Sequence, residues 1–304
     1  MASFIIKVCS FILLALILTG ALLTFTWKPY FKGKNVNIKK NILSKQAPTL
    51  KNYVLILGNS HAQFAFNTAR MNQQGINMAA PSQGMMEDFA ILKQAFQLNP
   101  SINKVALVYS YHSNTNVLHF STRDEEVIRM FEYANAYAIK YPSGAYTPKK
   151  CLSLLSNWGV YITKRPGARN DLDPFGNLND ACKAETFKIT GISERVEQHF
   201  NQRSVISNKP NIYFDSIRNF CLTHGIPLTV VITPYTQAYT NELKRQQPKA
   251  YSFLNTLANT NSSSYKLIDC RNLFINQEEY FFKDADHLSP CGRDSFSTYI
   301  QNLL

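Results

Sequence analysis

Apolar positions fall into three kinds of run along the chain. The first covers residues 8–27, which hold no charged side chain. A helix over that span, at about 1.5 Å per residue, would cross a hydrocarbon core about 30 Å thick. The second kind is short and continuous, bounded by Gly, Pro or polar residues: 53–57 (YVLIL), 75–79 (GINMA), 104–109 (KVALVY), 227–233 (PLTVVIT) and 266–269. Such runs predict buried strands. The third kind has helical spacing. It covers 62–72, 85–98 with Phe89, Leu92, Ala95 and Phe96 on one face, 212–224, 237–259, and a closing helix from about Pro290. Ser289 would cap that last helix and Pro290 suits its first position. Phe296, Tyr299, Ile300, Leu303 and Leu304 would form its apolar stripe.

Strands alternating with helices predict an α/β fold with a parallel sheet covered on both faces. Residues 112–210 interrupt the alternation. They are rich in Tyr, Asn, Gly and Pro, with helical pieces near 125–139 and 186–202, and they read as one long insertion. The expected organisation is a transmembrane anchor over 1–27, a polar juxtamembrane linker over 28–50, and a domain over 51–304.

Charge sharpens the N-terminal reading. The chain of 304 residues has 32 Lys+Arg and 20 Asp+Glu, a formal charge of +12. Residues 1–51 contribute eight Lys and no acid. The folded part is therefore nearly balanced, which argues against a nucleic-acid groove. Lys28–Lys51 suits contact with anionic lipid headgroups. A cleaved signal peptide would have a shorter apolar region followed by a small-x-small site, so a retained anchor is expected. Positive charge after the helix favours a cytoplasmic domain. Five cysteines outside the apolar run (Cys151, Cys182, Cys221, Cys270, Cys291) are an odd number and imply no complete disulfide framework.

In an open α/β sheet, ligands bind beyond the carboxyl ends of the strands. The residues that follow the strands are Gly58-Asn59-Ser60-His61, then Asn77 to Gly84, then Ser110-Tyr111-His112-Ser113-Asn114, and finally Asp284-Ala285-Asp286-His287. A serine nucleophile needs a base and an acidic group that orients the base. Ser60 at a strand-to-helix turn, His287 as base and Asp284 three residues before it supply that set.

These residues resemble the SGNH (GDSL-like) hydrolase superfamily. Gly58-Asn59-Ser60-His61 is similar to the family's Gly-Asp-Ser block, with Asn for Asp. Asp284-x-x-His287 is similar to its terminal Asp-x-x-His block, just before the last helix. The resemblance spans about 51–304 without the insertion. It implies a three-layer αβα, flavodoxin-like SGNH fold after one N-terminal transmembrane helix, with Ser60, His287 and Asp284 as triad and no metal or organic cofactor. The middle blocks depart from the family. Ser82 stands where an oxyanion-hole Gly is usual, with Gly84 nearby, and His112 stands where an Asn is usual, with Asn114 as the alternative. The departure resembles membrane-anchored, envelope-associated branches that act on acyl groups of cell-surface glycans. That implies an ester hydrolase or O-acyltransferase on the extracytoplasmic side, with acylated carbohydrate as substrate and envelope-glycan biosynthesis proteins as partners. An inactive member of the fold that binds glycan or a membrane partner is the alternative.

Simpler readings stand beside these. Gly58-Asn59-Ser60 is also an ordinary capped turn, and Asp284, Asp286 and His287 could hold a metal ion, although no second cluster with ligand spacing is visible. His61 is expected to be structural. Tyr109, Tyr111, Tyr133, Tyr137, Tyr141 and Tyr146 are expected to pack rather than stack on sugars. Asp173-Pro174-Phe175-Gly176-Asn177 reads as a turn.

Overall fold

The computed structural model describes residues 10, 11, 13, 14, 35–115, 117–164, 171–183, 185–200, 211–260 and 262–304. Apart from residues 10, 11, 13 and 14, the expected anchor over 1–27 lies outside them. Among the described residues, no helix is long and apolar enough to cross a membrane.

Five strands form one sheet: β1 (Tyr53–Leu57), β2 (Gly75–Asn77), β3 (Ile102–Val108), β4 (Leu228–Ile232) and β5 (Lys266–Asp269). Their order is β2-β1-β3-β4-β5, and every neighbouring pair is parallel. This is the flavodoxin-like doubly wound order, whose direction of winding reverses between β1 and β3. The continuous apolar runs reflect burial on both faces. In β1, Tyr53, Leu55 and Leu57 enter one hydrophobic cluster while Val54 and Ile56 enter another. In β3, Val105 and Leu107 divide from Ala106 and Val108 in the same way.

The larger face is covered by α1 (Asn35–Gln46), α3 (Met85–Leu98), α4 (Asp124–Tyr137), α7 (Ile212–Thr223), α8 (Gln237–Gln246) and α9 (Pro248–Ala258). The smaller face is covered by α2 (Ser60–Ala65) and α11 (Pro290–Ile300). Three more helices are α5 (Pro148–Lys164), α6 (Ile192–Phe200) and α10 (Glu278–Phe281).

Several expectations change. The helix expected over 62–72 is α2, which starts at Ser60 and ends at Ala65. Phe66 is extended after it, and Asn67 caps a separate 3-10 turn, Thr68–Arg70. The helix expected over 237–259 is two helices. Pro248 opens the second, because proline has no N–H for the preceding turn and its ring crowds that turn's carbonyl. In α11 the Ser289 side chain accepts from Gly292 N, as a cap should. Of its stripe, Phe296 and Ile300 are buried but Tyr299 is exposed.

The linker expected over 28–50 is also corrected. Residues 35–46 form α1, which buries Val36, Lys39 and Leu43. Lys39 Nζ donates to Asn77 O (2.9 Å), Gly176 O (3.1 Å) and Ala79 O. It therefore fastens α1 to the end of β2 and is not at a lipid surface. Burial lowers its pKa to about 7, offset in part by Asp173. The Gly176 carbonyl comes from the Asp173–Asn177 turn, where Phe175 N and Asn177 N both donate to Asp173 Oδ1. Gly176 has φ +83, and a Cβ there would lie 2.2 Å from Asn77 O, so this close approach requires glycine.

The insertion is tied to the main domain by a disulfide, Cys182–Cys291, across 109 residues. The odd cysteine count concealed it, since Cys151, Cys221 and Cys270 are not paired. Arg293, buried in α11, reinforces the tie through an ion pair with Asp180.

Candidate active site

Gly58 follows β1 with φ +130, and a Cβ there would lie 3.0 Å from the Val108 Cβ. Glycine therefore lets the chain turn sharply beside β3. Asp88 Oδ1 holds the turn by accepting from Gly58 N (2.8 Å) and from Gln83 Nε2 (2.6 Å). Burial raises the Asp88 pKa to about 7 against those hydrogen bonds. Asn59 caps α2 by accepting from His61 N (3.0 Å). This leaves Ser60 at the first helical position, next to the β1/β3 reversal.

His287 comes from a tight loop before α11. Phe282 and Leu288 form an antiparallel bridge, and Lys283 N donates to His287 O (3.0 Å). Asp284 organises the loop from within. Its Oδ1 accepts from Asp286 N (3.1 Å) and His287 N (2.8 Å), while its Oδ2 lies 2.9 Å from His287 Nδ1. The ring's other nitrogen, Nε2, lies 2.9 Å from Ser60 Oγ. A carboxylate only accepts, so Nδ1 carries the proton and Nε2 accepts from the serine. The structure thus brings Ser60, His287 and Asp284 into one chain of hydrogen bonds.

A second chain lies behind it. Asp286 Oδ2 is 2.7 Å from His61 Nε2, and His61 Nδ1 is 2.8 Å from Ser110 Oγ. The Asp286 carboxylate only accepts, so His61 Nε2 carries the proton and Nδ1 is the acceptor, while Ser110 Oγ also donates to Asn59 Oδ1 (3.2 Å). Tyr235 OH also approaches His61 Nδ1 (3.1 Å), and Asn59 Nδ2 donates to Ser110 Oγ (3.1 Å). All three members are buried, Ser110 completely. Burial pushes the His61 pKa down, which favours the neutral ring. For Asp286, burial acts upward but the surrounding His287, His61 and His199 hold it well below the usual carboxylate range.

Arg195 joins the two chains from α6, inside the insertion. Its Nε donates to Asp286 Oδ1 (2.8 Å) and its Nη2 to Asp286 Oδ2 (3.2 Å). The same Nη2 lies 3.4 and 3.2 Å from the His287 ring nitrogens Nδ1 and Nε2. Near-equal distances to both place it over the ring face, because an in-plane approach would collide with Cε1. The in-plane positions stay with Ser60 and Asp284. Burial lowers the Arg195 pKa, but Asp286 outweighs it and the net shift is upward.

The two side chains expected in the oxyanion hole are engaged elsewhere. Ser82, at φ +58, donates from Oγ to Glu126 Oε1 (3.3 Å). His112 Nε2 lies 3.0 Å from Asn59 Nδ2, and its ring stacks on His199 at 4.4 Å. Of the alternatives, Asn114 Oδ1 accepts from Tyr109 OH and Asn211 N, while Gly84 precedes α3 and donates to Glu87 Oε2. Of the tyrosines, Tyr109, Tyr111, Tyr133 and Tyr141 are buried, which agrees with packing.

The expectation of no second ligand-like cluster is corrected. The ring nitrogens of His61, His112 and His199 lie within 4.8 Å of one another, as do ligand atoms of His61, Asp286 and His287. Both His61 nitrogens already make short hydrogen bonds to Asp286 and Ser110. An ion in either cluster would have to replace them.

Arg195, Asp286 in its bridging role, His199 and Tyr235 were not legible as site residues. Asp286 lay inside the recognised block. Arg195 and His199 sit in a helical stretch whose local pattern carries no signal of where it docks.

No protein-family model matches the chain, and no curated protein sequence does. One solved structure that matches is described as a "putative lipolytic protein of G-D-S-L family" from Desulfitobacterium hafniense DCB-2. Its identity is 11%, it covers 84% of this chain and 100% of its own, and the TM-score is 0.37. The functional reading therefore rests on the geometry of the site.

Proposed function

We propose that the protein is a serine ester hydrolase or O-acyltransferase of the SGNH type, with Ser60 as nucleophile, His287 as general base and Asp284 as the group that orients it. The observation that carries this reading is the contact chain Ser60 Oγ, His287 Nε2, His287 Nδ1, Asp284 Oδ2, with both hydrogen bonds at 2.9 Å. It stands at the strand-order reversal, where open α/β sheets place ligands.

In the first half-reaction Ser60 Oγ attacks the acyl carbonyl carbon as its proton passes to His287 Nε2. The Ser60 N–H, in the first turn of α2 and without an intrahelical acceptor, is positioned to donate to the developing oxyanion. The bond to the leaving alcohol breaks, and His287 returns the proton to that oxygen. The acyl group is now an ester of Ser60. In the second half-reaction water or a sugar hydroxyl gives its proton to His287 and attacks the same carbon. Ser60 Oγ leaves and recovers the proton.

The envelope setting belongs to the same proposal. Residues 8–27 act as a retained membrane anchor, the domain is extracytoplasmic, and the ester is carried by a cell-envelope glycan made by neighbouring biosynthesis proteins. The Cys182–Cys291 disulfide supports an oxidising compartment. It weighs against the cytoplasmic placement that flanking charge favours.

A fluorophosphonate probe tests the nucleophile. Labelling of the full chain should vanish in Ser60→Ala, and labelling that persists there overturns the assignment. A second reading, a glycan-binding protein without turnover, is favoured by one observation: Ser82 Oγ and His112 Nε2 are engaged away from Ser60. Hydrolysis of p-nitrophenyl acetate that is lost in His287→Ala excludes it.

A further inference from the structure

Two cations stand around His287 with donor capacity that the protein itself does not use. Arg195 is fixed by two bonds to Asp286, yet its side chain remains 28% exposed. Among the described residues, no acceptor contacts its Nη1. Lys283 lies on the catalytic loop, and its Nζ sits 3.1 Å from the centre of the Phe64 ring. Phe64 in turn packs against His287, with ring centres 4.8 Å apart. No hydrogen-bond acceptor for Lys283 Nζ is present among the described residues either.

The neighbouring carboxylates are already committed. Asp286 is fully buried and accepts from His61 and Arg195. Asp284 accepts from two backbone N–H groups and the His287 ring. The side chains beside His287 that keep open donors are thus both cations, Arg195 against its ring and Lys283 across Phe64. A guanidinium so held is preorganised to receive a planar or tetrahedral oxyanion group, because fixing its fork beforehand removes most of the ordering cost.

We infer that Arg195, assisted by Lys283, recognises a negative charge on the substrate, so that the preferred ester carries a carboxylate or phosphate close to its acyl group. The inference deepens the ester hydrolase reading and rests on it for the identity of the reacting centre. Asp286 then has a specific purpose: it is the positioning residue that holds Arg195 over the face of His287.

The test uses the full chain and three acetyl esters: neutral phenyl acetate, 4-acetoxybenzoate and 4-acetoxyphenyl phosphate. The readout is the ratio of kcat/KM for each anionic ester to that for the neutral one, which cancels general damage to the site. In Arg195→Gln that ratio should fall about tenfold or more, chiefly through KM, with a smaller fall in Lys283→Gln. Arg195→Lys keeps the charge and should retain part of the preference, which covers the case in which the Gln variant fails to fold. The larger of the two anionic ratios distinguishes carboxylate from phosphate. Ratios unchanged in both Arg195→Gln and Lys283→Gln overturn the inference. If the wild type turns over none of the esters, the enzymatic reading fails by itself. Calorimetric binding of benzoate and phenyl phosphate, with phenol as control, then decides the anion site. Binding that is lost in Arg195→Gln sustains it, and its absence in the wild type overturns it.

Discussion

Two Ser-His-Asp chains lie side by side in this molecule, and they differ in burial. The outer chain, Ser60–His287–Asp284, has a half-buried serine at the start of a helix and an Asp284 side chain that is 42% exposed. The inner chain, Ser110–His61–Asp286, has comparable hydrogen-bond lengths, but its Asp286 and His61 side chains are at 0% exposure and Ser110 is wholly enclosed. The ring nitrogens are used in opposite order. The outer carboxylate meets Nδ1, and the inner one meets Nε2. Composition and distance are thus common to both. Access for an acyl carbonyl separates the proposed catalytic chain from the enclosed one, whose contacts hold Asn59, the end of β3 and Arg195 around it.

The largest expected effect comes from the two serines. Ser60→Ala should lower ester turnover by a factor on the order of 10⁴ or more, with little change in thermal stability. Ser110→Ala should retain turnover within about tenfold, measured with the same ester. If Ser110→Ala proves as damaging to kcat as Ser60→Ala while remaining folded, the comparison breaks.

The two aspartates come next. Asp284→Asn should cost on the order of 10³ in kcat, because an amide no longer fixes the His287 tautomer. Its cost in stability should be small. Asp286→Asn should do the reverse in emphasis and destabilise the fold by about 3–5 kcal/mol, since it leaves Arg195 and His61 without their charged acceptor. Paired denaturation and kinetic measurements on the two variants check this division.

pH sharpens the comparison further. The Asp286 pKa is depressed in the fold, with burial opposed and outweighed by the nearby histidines. It therefore contributes stability that is complete above the ordinary carboxylate pKa of about 4 and is lost as pH falls through the folded value. Thermal melts should show Asp286→Asn less sensitive to acid than the wild type. Asp88, under the Gly58 turn, has the opposite sign. Its raised pKa of about 7 means that the fold holds a proton the unfolded chain releases, so stability falls between about pH 4 and 7. Asp88→Asn should flatten that slope.

The smallest effect should come from the tie that holds the insertion against α11. Replacing Cys182 and Cys291 by Ser should cost about 2–4 kcal/mol, by removing a constraint on the unfolded chain. Ester turnover should fall less than in Asp284→Asn, since the outer chain's own contacts remain.

Much of the fold was legible because its signals are local. Continuous apolar runs are what a strand buried on both faces requires, so all five strands fell near their observed positions. The break at Pro248 was also legible in principle, since proline states its own backbone requirement. Lys39 was not. An isolated lysine in a polar stretch looks solvated, and only the three carbonyls that converge on it from β2 and the Asp173–Asn177 turn make burial tolerable. The Cys182–Cys291 pair was hidden for a related reason: pairing depends on distance in space, and a count of cysteines carries none.

The site divides in the same way. Ser60 follows a strand at a Gly-Asn turn, and Asp284 lies three residues before His287 on one loop. Those relations are written in sequence order, so the residue types and their spacing sufficed to nominate them. Arg195, Asp286, His61 and Ser110 acquire their relation only when α6, the end of β3 and the loop before α11 converge. The residues themselves are ordinary; a hydrogen bond across 225 positions of chain, as between His61 and Asp286, depends on how the sheet and the insertion pack. By itself the sequence determined which residues could form a nucleophilic triad and where the strands lie, because those are properties of neighbours along the chain. The tertiary structure decided which serine stays partly accessible, which aspartate is enclosed and which arginine stands over His287, because burial and charge pairing depend on neighbours in space.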